Sequence, residues 1–324
     1  LIATMTGGNW ECSSFDSLLG VALTLKGANV YFLLCDGKLP ACQECDFQWL
    51  KPHELMRAGP KNLCGSCYKP ARSMFEKLGL PVLKLSDYAL SEQAAMEAPA
   101  GIIDEHARSG LLRYFAVGDA TGEEFETEIL ERYRQAAKLT FSSVTNLLLA
   151  EKIEAVVAHH GIYVPQGLVV AAAQNLGVDV VCWGLGYKEN TIIFSSGDSY
   201  HRTLPLEEAM PENNADIMQS VQHVQRYLKD RESGINDWIS FYKDTKISSP
   251  KNMPFDASDT FGTNNNSEGL TFGLFTNVVW DAQLHFRKAA YSNMLDWLFD
   301  TIDLFANTRH RLVIRVHPAE VRGS

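Results

Sequence analysis

The feature that most constrains this chain is a repeated order of elements: an apolar strand, a polar loop, a helix and a second strand. The stretches concerned are residues 1–34, 153–183 and 270–316. In the last of them, Leu295, Leu298, Ile302 and Phe305 recur at helical spacing between two short apolar runs. Such units build parallel sheets, which bind ligands at the carboxyl ends of their strands. The sequence therefore predicts an α/β protein with a Rossmann-like parallel sheet.

The length of 324 residues predicts two domains, because a single core rarely grows beyond about 250–300 residues. Residues 246–269, dense in Ser, Asn, Pro, Gly and Asp, predict the linker. Residues 1–245 would form the N-terminal α/β domain, in which residues 36–70 make an irregular insert. Residues 270–324 would begin a second Rossmann-like domain, which we expect to be incomplete because it holds one strand-helix-strand unit.

The insert carries the sharpest chemical pattern of the sequence. Cys42 and Cys45 form one Cys-x-x-Cys pair, and Cys64 and Cys67 form another after eighteen intervening residues. Two such pairs can close four thiolates around a tetrahedral zinc ion, and four thiolates leave no open position for a substrate. We therefore predict a structural zinc site, with an iron–sulfur cluster or free reduced thiols as the alternatives. The possible substitute ligands are Cys35 and His53.

Glycine and polar residues follow the strands of the first domain. Gly7 and Gly8 end the first strand, where they would let the backbone approach a ligand or simply form a tight turn. His160 follows a second strand and could accept a proton near neutral pH, so it is predicted as the general base, with Asp16 as the other candidate. His160 could equally be a structural residue that is hydrogen-bonded to a neighbouring loop. A later polar loop could bind sugar hydroxyls or be a solvated connector. Its residues of interest are Asp198, Tyr200 and His201.

A second set of polar residues lies where the last two strands end. Thr276, Asn277 and Asp281 follow the first of these strands, and His317 and Glu320 follow the second. Because the carboxyl ends of parallel strands meet at one edge of a sheet, we expect these side chains to lie close together. They are interpreted as part of a nucleotide site, although His317 could instead only cap its strand.

These motifs carry a resemblance. FTNVVWDAQ followed by IRVHPAE resembles the second domain of bacterial capsule and surface-polysaccharide glycosyltransferases of the GT-B type. The pair His317-Pro318 is similar to the one with which bacterial sialyltransferases and capsular Kdo transferases hold the phosphate of a CMP-sugar. The resemblance extends more loosely through LIATMTGGNWE, VYFLLCDGKLPACQECD and the segment His160-Gly161. It implies a glycosyltransferase whose first domain binds a glycan acceptor and whose second domain binds a CMP- or UDP-sugar.

Composition and missing motifs narrow the remaining classes. A formal net charge of −10 without a long run of Lys and Arg argues against a non-specific nucleic-acid binder. No apolar run reaches the roughly 18 residues that span a bilayer, and the first residues lack a signal-peptide pattern. We therefore expect a cytoplasmic protein, with peripheral attachment to the inner face of the membrane left open.

The sequence has no Asp-x-Asp triplet, which metal-dependent glycosyltransferases use to hold a nucleotide diphosphate. The predicted transfer is therefore independent of a catalytic metal. Two other functions stay open: a sugar-nucleotide epimerase on the same fold, and a non-catalytic scaffold of the polysaccharide machinery.

Overall fold

The computed structural model describes residues 1–89, 97–186, 190–207, 214–232, 269–286, 289–317 and 320. The chain divides into two compact units. Unit 1 comprises Leu1–Gly184, Phe194–Leu204 and Trp280–Ala289, and unit 2 comprises Leu185–Ile193, Pro205–Val279 and Ala290–Ser324. The predicted linker, 246–269, lies outside the described residues except for Gly269, and so do residues 233–245.

A six-stranded, mostly parallel sheet organises the first part of the chain. Its strands are β1 (Ile2–Met5), β2 (Phe32–Leu34), β3 (Val82–Lys84), β4 (Ala155–His159), β5 (Asp179–Leu185) and β6 (Ile192–Ser196). Their spatial order is β3-β2-β1-β4-β5-β6, and the first five pair in parallel. This order is that of doubly wound nucleotide-binding sheets. The prediction of an α/β protein with a Rossmann-like sheet is confirmed at that level.

Helices connect these strands and bury their apolar faces against the sheet. They are α1 (Trp10–Leu25), α2 (Pro52–Ala58), α3 (Lys61–Glu76), α4 (Ile102–Phe115), α5 (Glu126–Ala150), α6 (Leu168–Asn175) and α7 (Tyr200–Glu207). Helix α1 begins after Asn9, whose side-chain oxygen accepts the backbone N–H of Cys12 at 3.1 Å, as an N-cap does. Helix α5 buries Ile129, Tyr133 and Phe141 in the main core.

The segment 36–70 differs from its prediction as an irregular insert with little core. It contains α2 and the first part of α3, and it contributes Leu39, Leu50 and Leu55 to the same core as the sheet. Helix α2 begins with Pro52, which is well suited to a first helical turn because it needs no amide partner there. Pro52 and Gly59 therefore mark the two ends of a helix rather than a long loop.

Unit 2 contains α8 (Asn214–Glu232), β7 (Thr271–Phe275), α9 (Met294–Ala306) and β8 (Arg311–Arg315). Strands β7 and β8 pair in parallel as a separate two-stranded sheet, with Thr271 opposite Arg311 and Phe275 opposite Arg315. The predicted strand-helix-strand unit is confirmed, and its helix carries Leu295, Leu298, Ile302 and Phe305. Among the described residues, no helix combines the length and apolarity needed to cross a bilayer.

Candidate functional sites

The first candidate site lies where β1 and β4 end side by side. In the sheet, β2 lies beside β1 on one side of this pair, and β5 lies beside β4 on the other side. The connection that follows β1 and the connection that follows β4 therefore run in opposite directions. Ligands of doubly wound sheets bind outside the carboxyl ends of the strands at such a switch point. The residues that follow the two strands are Thr6 and His160. The sequence also predicts His160 directly after a strand.

A buried carboxyl group lies beneath this edge. Asp16, only 1% exposed on α1, accepts a hydrogen bond from Thr4 Oγ1 at 2.7 Å and another from Trp183 Nε1 at 2.9 Å. Burial raises the pKa of Asp16 to about 7, although the two hydrogen bonds favour its charged form. Both oxygens are engaged inside the protein, so Asp16 positions Thr4 and Trp183 and does not itself reach a ligand. It ties the ends of β1 and β5 to α1.

Cys12 and His159 form a second buried pair beside the indole of Trp183. Cys12 Sγ lies 3.4 Å from His159 Nδ1, and the rings of His159 and Trp183 are 4.6 Å apart. Burial raises the pKa of the Cys12 thiol, and neighbouring Asp16 raises it further. Burial also holds the pKa of His159 well below its usual value. Both groups are uncharged at neutral pH, so this Cys-His pair is not a thiolate nucleophile.

His160 points a neutral imidazole at the same edge. Its backbone has a φ of 57° and its N–H donates to the carbonyl of Trp183 at 2.8 Å, which fixes the turn after β4. Its ring centroid lies 6.0 Å from that of His201 and 6.4 Å from that of Tyr200. Burial lowers the pKa of His160 to about 4, with Arg113 acting in the same direction and Asp281 against it. At neutral pH the imidazole can therefore accept a proton or a hydrogen bond.

The next residue shows why the turn after His160 needs glycine. Gly161 has a φ of +67°, a conformation that side chains rarely tolerate, and a Cβ there would lie 2.6 Å from Cys182 Sγ. Tyr200 and His201 begin α7, with their rings 4.0 Å apart and nearly parallel. The structure thus brings three residues of the predicted acceptor side together: His160, Tyr200 and His201.

Asp198 lies in an ionic network that sequence reasoning missed. Its carboxylate accepts hydrogen bonds from Arg202 at 3.3 Å, and Arg202 also pairs with Glu105, which accepts from His285 Nδ1 at 3.0 Å. Burial opposes ionisation of Glu105, but the bond to His285 and the charge of Arg202 together lower its pKa to about 2. Only the fold brings Glu105 on α4 beside His285, 180 positions later, so no local pattern could have identified this network.

Glu105, His106 and His285 also place their donor atoms within 4.8 Å of one another, a spacing that a metal ion could use. The guanidinium of Arg202 already neutralises the Glu105 carboxylate, however, and a divalent cation would have to displace it. We therefore interpret these residues as an ion-pair network.

Asp281 is held by a contact within unit 1. It belongs to the segment Trp280–Ala289 of unit 1, whereas Thr276, His317 and Glu320 belong to unit 2. Tyr163 donates a hydrogen bond from its hydroxyl to Asp281 at 2.5 Å and accepts the backbone N–H of Ala282 at 2.7 Å. These contacts fix residues 280–289 to unit 1, and the predicted linker at 246–269 stays a prediction.

Four cysteines surround one cavity at the carboxyl ends of β1 and β2. They are Cys35, Cys42, Cys64 and Cys67. Cys45, which is also a predicted ligand, is 1% exposed and part of the main core, and its thiol is hydrogen-bonded to the free thiol of Cys42. Across the described residues, only one group of three His, Cys, Asp or Glu side chains brings its donor atoms within 4.8 Å of one another, and it contains no cysteine. The predicted zinc site of Cys42, Cys45, Cys64 and Cys67 stays a prediction.

The Gly7-Gly8 loop packs against the helix that carries two of these cysteines. A Cβ on Gly7 would lie 2.4 Å from the Cβ of Ala71 on α3. The N–H of Gly8 donates to Cys67 Sγ at 3.2 Å. The glycines therefore allow close approach of α3, in addition to any contact with an acceptor.

The second candidate site lies at the carboxyl ends of β7 and β8 in unit 2. The hydroxyl of Thr276 accepts the backbone N–H of His317 at 3.0 Å, and the Thr276 N–H donates to the carbonyl of Arg315 at 3.1 Å. Glu320 accepts the backbone N–H of Val279 at 2.5 Å. Asn277 is exposed beside them, and His317 is half-buried. The structure thus brings together four of the five residues predicted to bind the donor.

Comparison with protein-family models, curated proteins and solved structures found no match to this chain. Function is therefore inferred from the sites themselves.

Proposed function

We propose that this protein is a metal-independent glycosyltransferase, which transfers a sugar from a CMP- or UDP-sugar to a surface or capsular polysaccharide acceptor. The main support for the proposal is that hydrogen bonds connect the loop after β7 to the loop after β8. Hydrogen bonds between Thr276 and His317 and between Val279 and Glu320 hold two loops together at the edge where parallel sheets bind ligands.

On the donor side, these contacts give each residue a distinct role. The Thr276 hydroxyl and the Glu320 carboxylate accept backbone amides, so they shape the loops. The imidazole of His317 is half-buried at the tip of β8, beside exposed Asn277. We assign His317 to the donor phosphate, where a fixed hydrogen-bond donor would stabilise the charge that develops on the leaving group.

On the acceptor side, the neutral imidazole of His160 is the proposed general base. Its low pKa keeps it unprotonated at neutral pH, and its position after β4 is that of a ligand-binding residue in a doubly wound sheet. Tyr200 and His201 stand beside it and would offer a ring face and polar edges to a sugar. Asp16 acts only as a positioning residue, through Thr4 and Trp183.

The first experiment is a thermal-shift screen of CMP, UDP, GDP and dTDP, because a ligand that binds only the folded state raises the melting temperature. We expect CMP or UDP to give the largest shift, and His317→Ala to remove it. His310→Ala is the matched control, since His310 is also half-buried but precedes β8 at its opposite end.

Product analysis with the preferred sugar nucleotide then tests transfer. Free nucleotide together with an elongated acceptor supports the proposal, whereas an altered sugar without acceptor indicates epimerisation. A full rate of transfer by His317→Ala, or no shift with any of the four nucleotides, would contradict it.

A further inference from the structure

The four cavity-lining cysteines come from three separate parts of unit 1. Cys35 directly follows β2, Cys42 lies in the loop after it, and Cys64 and Cys67 lie in the first turns of α3. The last two are three residues apart on a helix, so both can face the same side. Four thiols that line one cavity from a strand end, a loop and a helix match the ligand sets of zinc and iron–sulfur centres.

Backbone amides are directed at these sulfur atoms. The N–H of Gly8 donates to Cys67 Sγ at 3.2 Å. The amides of Gly37 and Leu39 face the Cys35 sulfur, and the amide of Glu44 faces that of Cys42. Hydrogen bonds from amides to thiolate sulfurs are a main means by which proteins stabilise and tune iron–sulfur clusters. Three of the four sulfurs thus have partners suited to metal-bound thiolates.

The spacing of the sulfurs separates two kinds of centre. A zinc ion bound by four thiolates at about 2.3 Å holds the sulfurs about 3.8 Å apart. Among the described residues, no three cysteine sulfurs form a group whose donor atoms lie within 4.8 Å of one another, and Cys35, Cys42, Cys64 and Cys67 line one cavity. A cubane iron–sulfur cluster needs this wider arrangement, because its iron and sulfide atoms occupy the space between the thiolates.

We propose that Cys35, Cys42, Cys64 and Cys67 bind a [4Fe–4S] cluster in this cavity. Met5, Pro60 and Leu63 form apolar walls around it, which suits a buried cluster. Cys45 is not among the proposed ligands because the other four cysteines line the cavity and Cys45 is 1% exposed in the main core. The cluster joins the start of α3 to the end of β2 and so fixes the segment 36–70 against the central sheet. This assignment does not depend on the proposed glycosyl transfer.

The test uses the protein purified without oxygen, with iron, sulfide and zinc measured on the same sample. We expect about four iron and four sulfide per chain, together with the broad visible absorption of a cluster. X-ray absorption at the iron edge should show iron–iron scattering. Stoichiometric zinc with sulfur as its only scatterer would overturn the proposal, as would a protein that contains neither metal after anaerobic reconstitution with iron and sulfide.

Two variants identify the ligands. Cys35→Ala should lose the iron and the visible absorption, whereas Cys45→Ala, the matched control from the Cys-x-x-Cys pair, should keep them. The opposite pattern would contradict the proposal and would identify Cys45 as a ligand, as the Cys-x-x-Cys spacing of the sequence suggests. If Cys35→Ala fails to fold, Cys35→Ser and the absorption spectrum of the unaltered protein decide the same question.

Discussion

The indole Nε1 of Trp183 donates a hydrogen bond to Asp16 Oδ1 at 2.9 Å, and the two residues are 167 positions apart. Trp183 is 1% exposed on β5, and Asp16 is equally buried on α1. The bond therefore joins the first crossover helix to the far side of the switch point. It also engages the Asp16 carboxyl inside the protein, so His160 is the candidate that we keep from the two predicted bases.

The burial of Asp16 makes stability depend on pH. Its folded pKa of about 7 exceeds the ordinary value of 3.8, so the folded state holds a proton that the unfolded chain has lost between these pH values. The contribution of protonated Asp16 to the free energy of unfolding is fully present below about pH 4. It is lost as pH rises to about 7, by an amount on the order of 4 kcal/mol. Asp16→Asn, which keeps an acceptor for Trp183 and carries no charge, should flatten this slope. Urea unfolding between pH 4.5 and 8 measures it.

Glu11→Gln is the control for that series, because it removes one carboxylate from an exposed position on the same helix. It should keep the slope of the parent protein. An unchanged slope in Asp16→Asn would show that the Asp16 carboxyl is ionised in the folded state across this range.

Two helix glycines test how closely α4 and α5 pack. A Cβ on Gly110 of α4 would lie 2.4 Å from the ring of Tyr133, whereas a Cβ on Gly65 of α3 would meet nothing within 4 Å. Gly110→Ala should therefore lower the free energy of unfolding by about 1–3 kcal/mol through overpacking. Gly65→Ala should raise it by up to about 1 kcal/mol, because alanine is the better helix former. Denaturant titration compares the two, and equal effects would contradict the close approach.

Local periodicity predicted much of the fold. The units 1–34 and 153–183 and the pair β7–β8 follow from apolar runs and helical spacing, which depend on neighbours in sequence. The helices of segment 36–70 escape prediction because prolines and glycines are typical of loops, although here Pro52 and Gly59 begin and end α2. A proline at the first helical position and a glycine just past the last one could have revealed that helix.

The sites were less predictable, because their geometry depends on side-chain direction and on distant contacts. Cys-x-x-Cys spacing marks Cys42 and Cys45 equally, yet only the fold shows that Cys42 lines the cavity and that Cys45, in contact with Cys42, is 1% exposed in the core. In the same way, nothing local connects Asp281 to Tyr163, 118 positions away. Tertiary contacts of this kind are invisible to periodicity.

Tyr163 should hold the segment 280–289 in place. Its hydroxyl donates to Asp281 and accepts the buried N–H of Ala282, so Tyr163→Phe leaves two polar groups without their partner. We expect a loss of about 1–3 kcal/mol in local stability and faster amide exchange across residues 280–286. Hydrogen exchange measured by mass spectrometry reports it. Tyr291→Phe, which removes a hydroxyl from an exposed residue, should leave exchange in this segment unchanged.

The pH dependence of transfer tests His160 as the base. A general base must be unprotonated, and burial lowers the pKa of His160 to about 4. The rate constant kcat/KM should therefore stay level from neutral pH downward and fall only as pH decreases through about 4, well below the 6.5 of an ordinary histidine. His160→Ala should lower kcat by about 10²–10⁴-fold and abolish that limb. His223→Ala is the control, since His223 is exposed on α8. A limb near pH 6.5, or one that persists in His160→Ala, would assign proton transfer to another group.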